Sequence, residues 1–199
     1  MYLIHISLQP CDQKLLRRSQ NRLKYCAQHT TSDEQIIAYH WLLLDIDPQR
    51  PADTASSEAE LQLSADLLIR VEQEVLNPLG IKTTKGLSGN GVHGLIKIES
   101  QLAVEKTQSL VKEILETLAD RFNTDQVKVD TSVFNPSRIT KVMGTMAVKG
   151  DNTQQAPHRR ALWLAELADS PACPVDIQQL HQSLCPQPRR ANQYLSRQW

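Results

Sequence analysis

The sequence predicts an α+β domain in which a mixed β-sheet is flanked by helices. Apolar runs of strand length alternate with two long stretches of helical periodicity, in the order βα–β–α–ββ–α–β–β. A Gly-Asn-Gly turn joins two of these runs into a hairpin. The chain of 199 residues suits one compact domain, or one with a small appendage, and is long enough to bury a sizeable core.

The first predicted elements are a strand over residues 2–8 and an amphipathic helix over residues 13–28. The helix prediction rests on four residues that would face the core: Leu15, Leu16, Leu23 and Ala27. The opposite face carries five cations: Lys14, Arg17, Arg18, Arg22 and Lys24. A basic face of this kind is most often only solvated, and contact with a DNA backbone is the alternative.

Residues 41–47 form an apolar run that ends in two carboxylates. Successive side chains of a strand point to opposite faces, so Asp45 and Asp47 share one face and their apolar neighbours share the other. Carboxylates this close repel each other unless a cation lies between them, and Mg²⁺ takes oxygen ligands of this kind. The pattern predicts a metal site at a strand end, with an ordinary acidic surface pair as the alternative. Arg50 could reach a phosphate or pair with Asp47, and the sequence favours the pairing.

A capping box and a tight turn define the middle of the chain. Ser57 and Glu60 form the capping box, which opens a long helix ending near Leu79. Strands over residues 81–87 and 92–98 follow. The two glycines between them predict a tight turn, so these strands form a hairpin.

The tip of this hairpin predicts a phosphate site. Gly89, Asn90 and Gly91 would leave backbone N–H groups bare, and such groups bind phosphate oxygens without side-chain bulk. Ser88 and His93 flank the turn. A lone histidine in a sheet is more often a satisfied structural residue, which remains the alternative for His93.

The remaining elements follow from the same patterns. A second long helix covers residues 101–122, and a short strand over residues 127–130 ends in a third carboxylate, Asp130. From residue 161 onward the motifs stop, and residues 175–184 predict a further helix.

The net charge is zero, so only local basic surfaces could meet phosphates. Residues 138–160 carry one acid, Asp151, against five cations: Arg138, Lys141, Lys149, Arg159 and Arg160. Residues 138–143 alternate as a strand would, which points Arg138 and Lys141 in opposite directions. Both could serve one site only across a bulge, and the sequence leaves the choice open.

The order of these motifs resembles the archaeo-eukaryotic primase superfamily, the primase-polymerases, and in particular its bacterial, phage and CRISPR-associated members. The motifs that carry the resemblance are the Asp45/Asp47 pair, the Ser88 to His93 turn, Asp130 and the basic segment after it. The resemblance covers about residues 1–165, the predicted catalytic core. It leaves residues 166–199 as a C-terminal helical extension packed on that core.

The resemblance implies an RNA-recognition-motif-like sheet and template-directed nucleotidyl transfer, in which primers are made and extended from dNTPs or NTPs. It implies two Mg²⁺ or Mn²⁺ ions held by Asp45, Asp47 and Asp130, which would be the catalytic carboxylates. It favours Lys141 over Arg138 at the nucleotide. The residues it suggests for nucleotide binding are Ser88, Gly89, Asn90, Gly91, His93, Arg138, Lys141, Lys149, Arg159 and Arg160.

The implied partners are a single-stranded DNA template, a primer and the nucleotides themselves. Family members are often parts of larger polypeptides or complexes, so a helicase or CRISPR adaptation proteins are expected beside this chain. Two other functions remain open. A metal-dependent glycosyltransferase also uses Asp-x-Asp, for a nucleotide-sugar, but needs no distant third carboxylate. A noncatalytic nucleic-acid-binding replication module would be expected to have lost at least one of the three carboxylates.

Targeting and redox signals predict a cytoplasmic protein. No run approaches the roughly 18 apolar residues that span a bilayer, and the N-terminus lacks the features of a signal peptide. The four cysteines form no CxxC pair, which favours reduced thiols. Zinc held by Cys173, His181, Cys185 and a fourth ligand is the minor alternative to ordinary packing.

Overall fold

The computed structural model describes residues 4–20, 22, 24–164 and 173–185. Three helices and ten strands carry the fold in this part of the chain. The helices are α1 (Glu58–Val71), α2 (Val104–Phe122) and α3 (Ile177–Leu184). The strands are β1 (His5–Ser7), β2 (Trp41–Pro48), β3 (Thr84–Leu87), β4 (Val92–Glu99), β5 (Val127–Val129), β6 (Ile139–Lys141), β7 (Met146–Ala147), β8 (Arg159–Arg160), β9 (Leu162–Trp163) and β10 (Val175–Asp176).

The main sheet has the strand order β5-β2-β4-β3-β9, and β10 pairs with the far end of β4. The pairs along the main path are antiparallel, whereas β10 runs parallel to β4, so the sheet is mixed. Two small antiparallel pairs, β1 with β6 and β7 with β8, lie outside it. The predicted α+β class with a mixed sheet and flanking helices is confirmed.

The core fixes which face of β2 is buried. Leu42, Leu44 and Ile46 are at most 1% exposed, and α1 packs against this strand. Leu68 of α1 lies directly over Gly94 of β4, where a Cβ atom would come within 2.9 Å of its Cδ1. Since side chains alternate along a strand, Asp45 and Asp47 are directed to the face opposite Leu44 and Ile46.

The helix starts follow local sequence signals. The Ser57 hydroxyl accepts from the Glu60 N–H while the Glu60 carboxylate accepts from the Ser57 N–H, which is the predicted capping box. After α1 the chain continues through a π turn, Glu72–Leu76, and a 3-10 turn, Asn77–Leu79. It stops at Gly80, whose φ of +70° is the left-handed conformation typical of a helix end.

The predicted helix over residues 13–28 is wrong. Among the described residues of this range, the helical structure is a short 3-10 helix, Gln13–Arg18, with no buried residue, and Leu16 is 68% exposed. An isolated helix of this length is marginal in water and depends on burying an apolar face. The 3-10 helix buries none of its residues, so the predicted helical periodicity is not realised there.

The described part of the C-terminal segment joins the main sheet. Ile177 and Leu180 of α3 are at most 2% exposed, α3 packs on α2, and β10 extends the edge of β4. The rest of residues 166–199 lies outside the described residues, so the domain boundary near residue 165 stays a prediction. In the part of the chain that is described, every helix is too short or too polar to cross a membrane.

Candidate active site

Two strands bring the predicted carboxylates and His93 together. Asp45 of β2 is paired directly with His93 of β4, and the Nε2 of His93 lies 3.3 Å from the Asp45 Oδ1. On the other side of β2, the backbone N–H of Asp130 donates to the Asp45 carbonyl over 2.8 Å. Asp130 therefore continues the β5 register and lies opposite Asp45, on the same face of the sheet.

Asp47 lies against a glycine that no other residue could replace without movement. A Cβ atom on Gly91 would come within 2.5 Å of the Ile46 carbonyl oxygen and even closer to the Asp47 Oδ1. Real Cβ atoms do not approach other atoms this closely. Gly91 is therefore required here for the close approach of the turn to β2, and this approach fixes the Asp47 carboxylate.

Burial and the neighbouring carboxylate of Asp45 both perturb Asp47. Burial raises its pKa from 3.8 to about 6, and the neighbouring Asp45 charge contributes to the rise. Arg50, His93 and Lys149 lie close enough to oppose it. The side chain is still 46% exposed, so a cation can approach it from solvent. A divalent ion in place of the proton would relieve the same repulsion.

The donor set fits a hard divalent cation in part. Within residues 4–20, 22, 24–164 and 173–185, no three His, Cys, Asp or Glu side chains are grouped closely enough to hold one ion, which includes the zinc candidates. The Asp130 Oδ1 accepts the Ser132 N–H over 2.7 Å and caps the following 3-10 helix. Asp130 and Asp47 nevertheless line one polar cleft of about 370 Å³. The oxygen-only pair Asp45/Asp47 suits Mg²⁺ or Mn²⁺, and of this pair Asp47 shares the cleft with Asp130.

The raised pKa of Asp47 predicts a pH-dependent stability of the metal-free protein. Between about pH 4 and pH 6 the folded state keeps a proton on Asp47 that the unfolded state has released, so the free energy of unfolding should fall as the pH rises. We expect a loss of about 1 kcal/mol across this window, a value reduced for solvent screening of a half-exposed group. Urea unfolding in the presence of a chelator measures it. Asp47→Asn should flatten the profile in this window, and an unchanged slope would contradict the assigned cause.

Lys141 is a predicted cation that lies beside the hairpin tip. Its Nζ donates to the Ser88 carbonyl over 2.7 Å. Burial lowers the pKa of Lys141, and the charges of Lys149 and Arg50 lower it further. The two carboxylates act in the opposite direction, so Lys141 lies within the field of the pair. Lys149 is exposed and influences both Asp47 and Lys141.

Arg138 does not join this group. Its guanidinium donates to the Ser132 carbonyl, and its charge acts on Asp33, away from the carboxylate pair. Of the two cations that alternate along the predicted strand, Lys141 thus faces the carboxylates. A nucleotide-binding role for Arg138 stays a prediction.

The two arginines of β8 bind protein groups. Arg159 donates to the Ser56 carbonyl and, over 3.2 Å, to the Glu58 Oε2, and its side chain is 15% exposed. These contacts join β8 to the start of α1. Arg160 donates to the Gly144 carbonyl. Nucleotide binding by Arg159 and Arg160 stays a prediction, and it would require these contacts to be shared or exchanged.

The hairpin tip is covered and does not form an open turn. Ser88, Gly89, Asn90 and Gly91 are all buried. The Asn90 Oδ1 accepts the Ser56 N–H over 3.1 Å, and its carbonyl accepts the Ser56 hydroxyl over 2.6 Å. The Gly91 N–H donates to the Ser88 Oγ over 3.1 Å, so the expectation of a bare N–H is wrong there.

The cover comes from elements that are distant in sequence. Gly89, with a φ of +98°, packs under β7 so closely that a Cβ atom would overlap the Ala147 side chain. Ser56, which binds Asn90, precedes α1. A direct contact of residues 88–91 with phosphate stays a prediction.

Several residues at the site were not predicted from the sequence. The Thr140 hydroxyl lies 3.4 Å from the His93 Nδ1, on the side opposite Asp45. Lys128 and Asn123 line the cleft shared by Asp47 and Asp130. No local pattern marks these three residues, because only the pairing of distant strands places them here.

Arg50 has the structural role that the sequence favoured. Its guanidinium donates to the Thr54 and Pro48 carbonyls over 3.0 and 3.3 Å and lies 3.9 Å from the Asp47 Oδ1. The side chain is only 8% exposed. Arg50 therefore closes the turn after β2 and compensates part of the Asp47 charge.

No family model matches the sequence, and no curated protein matches it. The solved structures that are similar to this chain include the following two. One is the AEP domain of the primase-polymerase (PrimPol) of cyanophage S-2L, with 15% identity and a TM-score of 0.42. The other is the polymerase domain of ligase D from Mycobacterium tuberculosis in complex with DNA, with 18% identity and a TM-score of 0.39.

The matches are partial on both sides. They cover 77% and 72% of this chain, and they span 64% and 50% of the two solved chains. At these values the likeness concerns the fold, and the function of this chain has to be inferred from its own side chains.

Proposed function

We propose that this chain is a metal-dependent nucleotidyltransferase of the primase-polymerase type, which adds nucleotides to a primer on a single-stranded DNA template. The observation that carries the proposal is the Asp45/Asp47 pair, which faces outward from the sheet with Lys141 and Lys149 in its field. Paired carboxylates beside cations suit a reaction in which metal and phosphate meet.

The carboxylates would bind the metal, and the cations would bind the phosphates. Asp45 and Asp47, together with Asp130, would hold Mg²⁺ or Mn²⁺, which when bound neutralises phosphate charge and activates a primer 3′-hydroxyl. Lys141 and Lys149 would hold the phosphates of the incoming nucleotide as charge-assisted donors. The lowered pKa of Lys141 reflects its burial beside other cations, and an arriving phosphate would favour its charged form.

His93 would orient Asp45. A neutral imidazole that donates its Nε2–H to the Asp45 Oδ1 can accept a hydrogen bond from the Thr140 hydroxyl at Nδ1. This chain of contacts would hold the Asp45 carboxylate in one rotamer and leave its other oxygen for a cation. His93 is 6% exposed, so it would act on a bound nucleotide mainly through Asp45.

A direct assay tests the proposal. The protein is incubated with labelled dNTPs or NTPs and Mn²⁺, on a single-stranded template with and without an annealed primer. Template-dependent extension of the primer is the expected result, and products formed without a primer would add synthesis of primers to the activity. No incorporation under any of these conditions would overturn the proposal, and hydrolysis of a nucleotide-sugar instead would favour a glycosyltransferase.

The position of His93 predicts how its replacement acts. His93→Ala should lower the affinity for nucleotide with Mn²⁺ by about tenfold or more, since Asp45 loses its hydrogen-bond partner and the site loses a buried donor. Affinity for template DNA should change by less than about twofold because the residue is buried. Calorimetric titration of each ligand separates the two effects. Unchanged nucleotide affinity together with lost DNA affinity would remove His93 from the nucleotide site.

A further inference from the structure

The segment between β1 and β2 concentrates positive charge more than any element of the candidate site. Residues 13–32 contain five lysines and arginines and no aspartate or glutamate. Four of the cations line one shallow cavity of about 300 Å³, together with Ser19 and Gln20: Arg17, Arg18, Arg22 and Lys24. The described residues around this cavity contribute no carboxylate to it, so the charges are not neutralised within it.

Local contacts give this cavity a defined shape. The Asp12 carboxylate caps the 3-10 helix by accepting the Lys14 N–H over 2.8 Å. The Ser19 hydroxyl donates to the Arg22 carbonyl over 2.6 Å, which closes the turn that follows. Arg18 donates to the Thr30 carbonyl over 3.3 Å and joins the two ends of the segment. The cations are therefore presented by a folded turn.

An exposed aromatic residue follows the last of these cations in the sequence. Tyr25 is 95% exposed and follows Lys24 directly. Cations that track a phosphate backbone beside aromatic rings on which bases stack are the two components of single-strand binding surfaces. Guanidinium groups suit phosphate in particular, because their planar donors bind two oxygens at once.

We infer that this surface, formed by Arg17, Arg18, Arg22, Lys24 and Tyr25, binds single-stranded nucleic acid, with the cations on successive phosphates and Tyr25 stacked on a base. The identity of this partner as a template strand rests on the proposed function. A membrane surface fits less well, since a six-residue 3-10 helix offers no amphipathic face to insert. Duplex DNA would leave the tyrosine ring without a base to stack on.

Binding of a short fluorescein-labelled single-stranded oligonucleotide, without nucleotide or metal, tests the inference by fluorescence anisotropy over a range of salt concentrations. The Arg17→Gln/Arg22→Gln variant should bind about tenfold more weakly or worse at low salt. The slope of log Kd against log salt should fall by about 1.4, which corresponds to two lost phosphate contacts on a single strand. Arg18 is left unchanged because it joins the ends of the segment.

A matched control keeps the net charge equal. Lys82→Gln/Lys106→Gln removes two exposed charges elsewhere and should change the affinity by less than about twofold. Tyr25→Ala should weaken binding about fivefold or more, whereas Tyr25→Phe should retain it because the ring is kept.

Four results would overturn the inference. The first is equal weakening by both charge variants. The second is equal affinity for duplex and single strand that Tyr25→Ala does not change. The third is capture of anionic vesicles that is lost in Arg17→Gln/Arg22→Gln, with no oligonucleotide binding by the wild type. The fourth is a wild type that extends primers while none of these substitutions changes its affinity for DNA, and this result would overturn the proposed surface alone. Oligonucleotide binding through this surface without any nucleotide incorporation would support the surface and overturn the proposed function.

Discussion

Replacing both aspartates of the pair, Asp45→Asn with Asp47→Asn, should reduce nucleotide incorporation about 1,000-fold or more while the protein stays folded. The amide is nearly isosteric with the carboxylate, but it removes the anionic oxygens that would hold the metal. Stability should not fall, because the burial of charge and the repulsion by Asp45, which raise the pKa of Asp47, are both removed together with the charges. Primer extension with Mn²⁺ measures the activity, and thermal unfolding measures the stability.

The control for this change is Glu99→Gln with Glu105→Gln. Both residues are exposed, and the same two negative charges are lost at the end of β4 opposite His93 and at the start of α2. This variant should extend primers at the wild-type rate. If the Asp45/Asp47 variant folds and still extends a primer at a comparable rate, the assignment of the metal site is wrong.

Gly91→Ala should damage both stability and activity, although it adds only one methyl group. That methyl would overlap the Asp47 Oδ1 and come within 2.5 Å of the Ile46 carbonyl, so the turn and β2 have to separate. We expect a loss of about 1–3 kcal/mol in the free energy of unfolding, as for an overpacked core. We also expect about a 100-fold loss of primer extension, because a displacement near 1 Å at a reacting centre has effects of that size.

Gly80→Ala is the matched glycine control. Gly80 has a φ of +70° and no atom within 4 Å of the position of a Cβ, so alanine meets a backbone penalty of about 1–2 kcal/mol and no contact. This variant should lose stability and keep its activity per folded molecule. Urea unfolding and primer extension on the same preparations compare the two variants. A Gly91→Ala protein with wild-type activity would show that Asp47 does not need its present position.

Much of the fold follows from signals within a few residues of one another. The Ser57/Glu60 capping box, the turn between β3 and β4 and the apolar run of β2 that ends in two carboxylates are local, and each is found as predicted. The prediction of a helix over residues 13–28 was wrong because the periodicity is a local signal, whereas the stability of such a helix requires a surface to pack on. Leu16 shows this directly, since it is 68% exposed.

The candidate site likewise has parts that local sequence predicts and parts that depend on distant segments. The Asp45/Asp47 pair and His93 lie on adjacent strands, so a motif pattern and strand alternation suffice to bring them together. The choice of Lys141 over Arg138 depended on the path of β6, which pairs with β1 at the other end of the chain. The covered hairpin tip depended on β7, and the contact of Thr140 with His93 depended on the position of β6. Such contacts between distant segments leave no trace in local sequence.

The register of three neighbouring strands has a practical consequence for measuring this protein. Asp45 is paired with His93 on one side and bonded to the Asp130 N–H on the other, so all three depend on backbone pairing and on no loop. A slip of β2 by one residue would turn both of its carboxylates into the core and expose Leu44 and Ile46. A misregistered molecule would therefore be inactive and not merely slow. Specific activity should therefore be proportional to the fraction of molecules with the correct register. A titration of active sites would measure that fraction in a preparation.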